Sequence, residues 1–346
     1  MSTPTQQKAL FLQSKQGEFT LGTREVPQPG AGDIVVKNEA IGLNPVDWKI
    51  QTYGLLVEKY PAILGLDATG TVEAVGQGVT AFKKGDRVIY QGVLDNDRAN
   101  FQQYTLINES LAAELPGKFS FEAGATLPLA YSTAAVGLYH QAGGPQLVPP
   151  WAEGGKSKYA KTPIVVLGGA SVVGSLAIQL AKLSGFSPII TTASPKNVEL
   201  LTSYGATHVL DRSLPQNALI SEVTKIAGGP VSLVYDAISL PETQAAGYAL
   251  LAPNGKLLTV LPPTVTETTE GRSVVSVLGV IQRAPNVEFG KALLAQLPAL
   301  LESGDIKPLR VEVIPGGLGG ITAGLAKLKN NQVSGTKLVV RPPETA

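Results

Sequence analysis

The amino-acid sequence predicts an α/β chain: a doubly wound parallel sheet joined to a second, β-rich domain folded as a partly open barrel. Three observations carry this expectation. Residues 163–182, PIVVLGGASVVGSLAIQLAK, read as a buried strand, a glycine turn and the opening of a helix. Downstream, strand-like and helix-like segments alternate, the signature of βαβ units. Upstream, to about residue 130, short and partly alternating apolar runs are punctuated by glycine.

Taken in order, DIVVKNEAIGL, ATGTVEAVGQGV, GDRVIYQG and FQQYTLI are the strands of the first domain. Between the first two lies NPVDWKIQTYG, residues 44–54, which predicts a short helix. Asn44 is a good N-cap, Pro45 suits the first helical position, Asp47 favours the dipole and Gly54 stops the last turn. Lys49 and Tyr53 then stand four residues apart on one face. The same pattern fits a surface helix with a solvated lysine or a helix that carries a site.

The turn at 168–174 is the strongest motif. Ile164 to Leu167 are apolar and largely β-branched, as a strand covered on both faces requires. The chain breaks at Gly168-Gly169, and Leu176, Ile178, Leu180 and Ala181 then follow helical spacing. A helix N-terminus delivered this way offers free N–H groups and a positive dipole end to a pyrophosphate. The dinucleotide fingerprint G-x-G-x-x-G appears here as Gly169-Ala170-Ser171-Val172-Val173-Gly174, with serine for the middle glycine. Alone, it also fits a plain tight turn. The strands SPIITTA, THVLD, VSLVYDAI and GKLLTVL, separated by KNVELLTSYG and NALISEVTKIAG, support the dinucleotide reading. About 20 residues past the turn, where an acid would accept from a ribose 2'-OH, stand Ser194, Pro195, Lys196 and Asn197. Hydroxyl, ammonium and amide donors suit a 2'-phosphate, which predicts NADPH over NADH; Ser194 also serves as a helix cap in this pattern.

Residues 143–163 are rich in Pro, Gly and Lys and predict an exposed loop. NVEFGKALLAQLPALLESG predicts a helix ending at Gly304, and RVEVI and KLVVRP predict strands returning to the first domain. The expected domains are 1–130 with 286–346, and 131–285. At 346 residues two domains are the default, and 44% hydrophobic with 16% charged residues excludes a disordered chain. A net charge of +1 gives no reason to expect nucleic acid or an anionic membrane as partner. With no cysteine, disulfides and thiolate zinc sites are excluded, and His140 and His208 read as structural, so no metal is expected. MSTPTQQKALF has no secretory pattern, which predicts a cytoplasmic protein, and the uncharged stretch 163–181 is interrupted too often to span a membrane.

Several segments together, IGLNPVDWK, LGLDATGTVEAVG, GDRV, ATLPLAYSTAAVGLY, GGASVVG, SPKN and SGTKLVV, make the chain similar to a known family. It resembles the medium-chain dehydrogenase/reductase superfamily, in its zinc-free quinone- and enoyl-reductase branch, and especially the stand-alone enoyl reductases that assist fungal polyketide synthases. The resemblance implies a Rossmann domain and a GroES-like catalytic domain. Where the zinc-dependent branch carries G-H-E-x-x-G, this chain has Gly65-Leu66-Asp67-Ala68-Thr69-Gly70. Asp67 reads as structural, paired with a buried cation or backbone N–H groups.

The resemblance also implies contacts to the dinucleotide. Asn44, Val46, Asp47, Trp48 and Lys49 would lie by the nicotinamide end, Thr133 by the phosphates or ribose, and Lys337 would close over the cofactor. Arg212 replaces a tyrosine usual beside the adenine ribose. Leu258 and Thr259, ending GKLLTVL, would offer backbone contacts to the nicotinamide, because ligands sit beyond strand C-termini. The implied reaction is hydride transfer to the β carbon of an α,β-unsaturated carbonyl, with Lys49 or Tyr53 supporting the oxyanion or supplying the proton. The expected substrate is a small enone, enoyl compound or quinone, or an acyl chain on a carrier protein. A quinone reductase and a non-catalytic NADPH-binding protein are the alternatives. Residues 262–272 are expected as a mobile polar loop beside the substrate, and the strand-like 274–280 either pairs in a homodimer or remains a monomer's edge.

Overall fold

Each β-branched run named above becomes a strand in the computed structural model, which describes residues 4–346. Met1 to Thr3, where the stretch read for a leader begins, lie outside the described residues. The first part of the chain holds β1 (Gln6–Leu12), β2 (Phe19–Glu25), β3 (Asp33–Gly42), α1 (Pro45–Tyr53), β4 (Ala62–Ile63), β5 (Asp67–Val75), β6 (Arg87–Gln91), β7 (Tyr104–Asn108), β8 (Ala112–Glu114), α2 (Phe121–Gly124) and α3 (Pro128–Ala135). The middle holds β9 (Ile164–Leu167), α4 (Val172–Leu183), β10 (Ile189–Ala193), α5 (Val198–Tyr204), β11 (His208–Asp211), α6 (Gln216–Ala227), β12 (Val231–Asp236), α7 (Pro241–Ala249), β13 (Leu251–Thr259) and β14 (Ser273–Ser276). The last part holds α8 (Val287–Ser303), β15 (Val311–Val313), α9 (Ile321–Lys329) and β16 (Lys337–Val340).

The chain forms two compact units. One comprises the chain up to Leu129 together with Val280–Glu302 and Pro308–Ala346; the other comprises Ala130–Gly279 and Ser303–Lys307.

In the first unit β3 is the organising strand, ten residues long and buried at nearly every position because it pairs with β5, β7 and β16. The larger sheet runs β15-β16-β3-β5-β6-β8, with β7 also on β3, and a smaller one runs β2-β1-β4. The register matters for chemistry: Gly42 at the end of β3 faces Asp67 of β5 on one side and Val339 of β16 on the other. Residues far apart in sequence therefore meet at this corner.

The second unit is a six-stranded, all-parallel sheet in the order β11-β10-β9-β12-β13-β14. The order reverses between β9 and β12, and in such sheets ligands bind at the strand C-termini beside that switch. β9 is fully buried, as its run of Ile, Val, Val and Leu requires. In α4, Leu176, Ile178 and Leu180 are fully buried, each worth roughly 1.5–3 kcal/mol of removal from water. This packing anchors the helix whose N-terminus follows the glycine turn.

Some elements depart from expectation. The 143–163 loop is made of turns, yet it is pinned rather than wholly exposed: the Trp151 ring lies 5.3 Å from Tyr139, and Tyr159 stacks on Phe186 at 5.0 Å. The 262–272 loop is tied to α7, where Gln244 Oε1 accepts from Thr264 N at 2.8 Å and Tyr248 Oη accepts from Thr269 N at 2.7 Å. The strand expected over 274–280 ends at Ser276.

Candidate active site

The second unit builds a phosphate cradle from the residues that end its strands. After β9, Gly168 turns the chain at φ 77°, and Thr192 at the end of β10 holds the turn: its Oγ1 and carbonyl accept from the N–H groups of Gly168 and Gly169, each at 3.0 Å. Ser171 then heads α4, its Oγ accepting the Gly174 N–H at 3.0 Å. The serine that replaces the fingerprint's middle glycine is thus the helix N-cap. Among the described residues the N–H groups of Val172 and Val173 have no hydrogen-bond partner, so the first turn keeps open donors at its positive dipole end. Gly174 packs so closely that a Cβ there would stand 2.4 Å from the Gly168 carbonyl oxygen.

Neighbouring strands bring the other expected residues to the same edge. The register pairs Leu167 with Asp236, Ala193 with Asp211 and Asp236 with Thr259, so these strands end together. Ser194 follows β10 and begins a short turn over Pro195–Asn197; its hydroxyl makes no cap hydrogen bond. Lys196 is exposed, while Asn197 is buried with its N–H on the Ser194 carbonyl at 3.0 Å. Arg212 follows β11, exposed, its N–H on the Ala193 carbonyl at 3.0 Å. The neighbouring Asp211 carboxylate is engaged in its own turn, held below its ordinary pKa by the Ser213 N–H and hydroxyl. Leu258 and Thr259 are buried at the end of β13, with Thr259 Oγ1 donating to the Leu261 carbonyl at 2.9 Å. Thr133 is on α3, its carbonyl accepting from the Tyr235 hydroxyl at 2.9 Å. Thr192 and Tyr235 were not singled out in the sequence; the threonine pair ending SPIITTA was the one available signal for the first. The donors gathered along this edge fit a dinucleotide.

The first unit places the other expected residues on α1. Asn44 heads the helix and donates its N–H to Asp47 Oδ2 at 2.8 Å, one half of a capping box. Gly54 ends it in the left-handed region at φ 65°, its N–H on the Ile50 carbonyl at 2.9 Å. Lys49 is half-buried with Nζ 5.7 Å from the Trp48 ring, and desolvation pulls its ammonium below the ordinary lysine value. Tyr53 is 56% exposed and its ring lies 5.9 Å from Trp48. Val46 is half-buried on the same helix.

Asn44, Asp47, Asp67 and Lys337 meet in a buried cluster at the head of α1. Lys337 Nζ donates to Asp67 Oδ2 and to Asn44 Oδ1, each at 2.6 Å, and Asn44 Nδ2 donates to Asp67 Oδ2 at 2.9 Å. Asp67 Oδ1 accepts the Leu129 N–H at 2.5 Å, so this carboxylate has both kinds of partner expected of it, a cation and a backbone N–H. Burial pushes the Asp47 carboxyl up to about 7; the Asn44 N–H and Lys337 pull the other way, Asp67 adds to the rise, and the Gly65 backbone lowers it slightly. Lys337 is the residue expected to close over a dinucleotide. It is 1% exposed at the start of β16, a strand buried along its length, and its ammonium is committed within the unit.

Among the described residues no group of three or more His, Cys, Asp or Glu is placed to hold a metal ion, and no helix is long and apolar enough to cross a membrane. His208 is exposed beside Thr207, and His140 ends the helical turn Val136–His140.

Comparison with known proteins agrees with this architecture. Residues 30–125 match the alcohol dehydrogenase GroES-like domain and residues 172–280 the zinc-binding dehydrogenase domain. A trans-enoyl reductase of Fusarium heterosporum is 32% identical, the match covering 96% of this chain and 98% of that protein. Among solved structures, an alcohol dehydrogenase superfamily protein from Novosphingobium aromaticivorans superposes with a TM-score of 0.82 at 26% identity, covering 97% of this chain and 99% of the other. A quinone oxidoreductase of Pseudomonas syringae pv. Tomato DC3000 does so with a TM-score of 0.79 at 25% identity, covering 97% and 100%. The paired domains and the end-to-end likeness lead to one assignment: the chain belongs to the medium-chain dehydrogenase/reductase superfamily of oxidoreductases, in which its relatives include the fungal trans-enoyl reductases.

Proposed function

We propose that this protein is an NADPH-dependent reductase of carbon–carbon double bonds conjugated to a carbonyl, working without a metal. The observation that carries the reading is the row of donors along one edge of the parallel sheet: the open N–H groups of Val172 and Val173, then Ser194 and Lys196, with no acid at 194–197. The first pair suits a pyrophosphate and the second a ribose 2'-phosphate. Kinship with proteins named trans-enoyl reductases supports an enoyl or enone acceptor, free or on a carrier.

When bound, NADPH supplies the hydride. The chain's own part is to stabilise the charge that then develops on the acceptor's carbonyl oxygen and to protonate its α carbon. Lys49 is the residue proposed to donate to that oxygen. An ammonium partly withdrawn from water is a stronger local field source than a solvated one, and its lowered pKa eases proton donation. Tyr53, a neutral phenol four residues on, is the second proton donor. These donors would take the place of a Lewis acid, in keeping with a chain that has no cysteine.

Two substitutions test this. Lys49→Ser is expected to lower kcat on an enoyl thioester by about 10²-fold or more while calorimetry shows NADPH affinity changed by less than about threefold; equal losses would make Lys49 a binding residue. Lys196→Glu is expected to weaken NADPH by about tenfold or more and leave NADH nearly unaffected, since it removes a charge-assisted bond to the 2'-phosphate and adds repulsion. Equal effects on both nucleotides would refute that assignment. The likeness to a solved quinone oxidoreductase favours one rival, quinone reduction. Parallel assays on quinones and enoyl thioesters with product analysis distinguish them, because only the latter yields a saturated carbonyl.

A further inference from the structure

A second concavity lies in the parallel-sheet unit, away from the dinucleotide turn. Lys156, Lys182 and Lys307 line one pocket of about 150 Å³ together with Ser157, Ser203 and Asp305, about ten times the space a single water needs. All six belong to the same unit, yet they come from separate stretches. Lys156 and Ser157 are in the 143–163 loop, Lys182 is in the last turn of α4, Ser203 is in α5, and Asp305 and Lys307 follow α8. α4 runs from the phosphate cradle to this pocket, and its 12 residues make it about 18 Å long. The pocket is therefore a different place from the pyrophosphate site.

Three like charges gathered in one hollow repel one another unless something negative offsets them. Among the described residues none of the three ammoniums forms an ion pair with a carboxylate, although Asp305 lines the same pocket. Lys307 Nζ donates to the Ser203 carbonyl at 3.4 Å. The negative end of α4 accounts for Lys182, but Lys156 and Lys307 lie on no helix. The fold nevertheless anchors all three. The Lys307 backbone is held on both sides by Gln179, whose Oε1 accepts its N–H at 2.7 Å and whose Nε2 donates to its carbonyl at 3.2 Å. Lys156 stands between the pinned rings of Trp151 and Tyr159, and the Tyr159 N–H donates to the Ser184 carbonyl at 3.0 Å. The stem of Lys182 packs over Gly205, where a Cβ would stand 2.6 Å from its Cδ. We propose that this pocket binds a phosphoryl group, carried as a small oxyanion or phosphomonoester, which accepts from the three ammoniums and the Ser157 hydroxyl. A phosphoryl group brings close to two negative charges and three acceptor oxygens, which matches three ammoniums better than a carboxylate does. The site is independent of the reaction proposed above.

The test is calorimetry and thermal denaturation of the full chain at constant ionic strength, with inorganic phosphate and glycerol 3-phosphate as probes and chloride as the reference. Expected are a Kd of about 1 mM or tighter, from three charge-assisted hydrogen bonds, and a Tm that rises with the probe. Lys156→Gln and Lys307→Gln should each weaken binding by about tenfold and together by about a hundredfold. Lys161→Gln makes the same charge change on the same loop outside the pocket and should alter Kd by less than about twofold. Lys196→Glu, at the edge assigned to the cofactor, should leave this binding in place. Equal weakening by Lys161→Gln and the pocket variants overturns the proposal, because net charge then explains the binding. Loss in Lys196→Glu alone also overturns it, because the probe then sits at the cofactor edge, and so does a response to phosphate no larger than that to chloride. Tighter binding of glycerol 3-phosphate than of phosphate supports the site with a phosphomonoester as its ligand, and the reverse order supports it with the free ion.

Discussion

Lys337→Met is expected to destabilise the protein by about 3–5 kcal/mol, the usual cost of removing one partner of a buried ion pair. The lost interaction itself is a modest part of that figure. Most of it is the desolvated Asp67 carboxylate, which keeps the N–H of Leu129 and the amide of Asn44 but no cation. Combining Lys337→Met with Asp67→Asn should cost much less, because the two changes together remove the charge from the interior altogether. Set against an ordinary domain stability of about 5–15 kcal/mol, the single change brings the first unit near its limit. Equilibrium denaturation of the parent, both single variants and the double variant measures this as a cycle; a loss in the double variant equal to the sum of the two single losses would show that the pair is not coupled.

Asp47→Asn should behave in the opposite sense, and only at higher pH. The Asp47 carboxyl is raised from 3.8 to about 7, so between those values the native state holds a proton that the unfolded chain has released. The stability this contributes is complete below about pH 4 and is lost as pH rises through 7, a fall of about 4 kcal/mol at 1.36 kcal/mol per pH unit. The amide introduced by the substitution is neutral at every pH, and its carbonyl oxygen can still accept the Asn44 N–H. The variant should therefore match the parent near pH 4 and exceed it in stability by pH 8. The groups facing Asp47 are Lys337 on β16, Asp67 on β5 and the backbone N–H groups of Asn44 and Gly65, and only the carboxyl itself is altered. Denaturation curves from pH 4 to 8 for both proteins give the difference directly; parallel curves would mean that Asp47 is ionised throughout.

How far the molecule was legible in its sequence differs from element to element. The glycine turn, β9 and the strands that follow carry local signals, namely apolar β-branched runs and positive-φ or close-packed glycines, and the structure places them as expected. The limits of α1 were equally plain, because a cap residue, a proline and a stopping glycine act within one turn of themselves. By contrast α9, ITAGLAKLK, leaves little local trace: it has an interior glycine and no side-chain cap, and is held by packing rather than propensity. In β1 the Gln and Lys of QQKALFL masked a strand whose Ala9, Leu10 and Leu12 are buried. Gln7 of that strand is buried too, with its side chain bonded to Gln102 and to the Tyr104 N–H.

Local chemistry along the chain was enough to specify the parallel sheet with its dinucleotide turn, the helix bearing Lys49 and Tyr53, and the absence of cysteine ligands. Each of these depends on residues within a few positions of one another, where propensity and capping act. What folding alone decided was pairing: that Asn44 turns its amide to Lys337 and Asp67, that Lys337 is sealed inside, and that Asp47 shares their enclosure. The contacts of Lys337 span 293 and 270 residues and that of Asn44 with Asp67 spans 23; they are imposed by strand register at Gly42, where β5 and β16 flank β3, and no local pattern encodes the burial that gives them their energy.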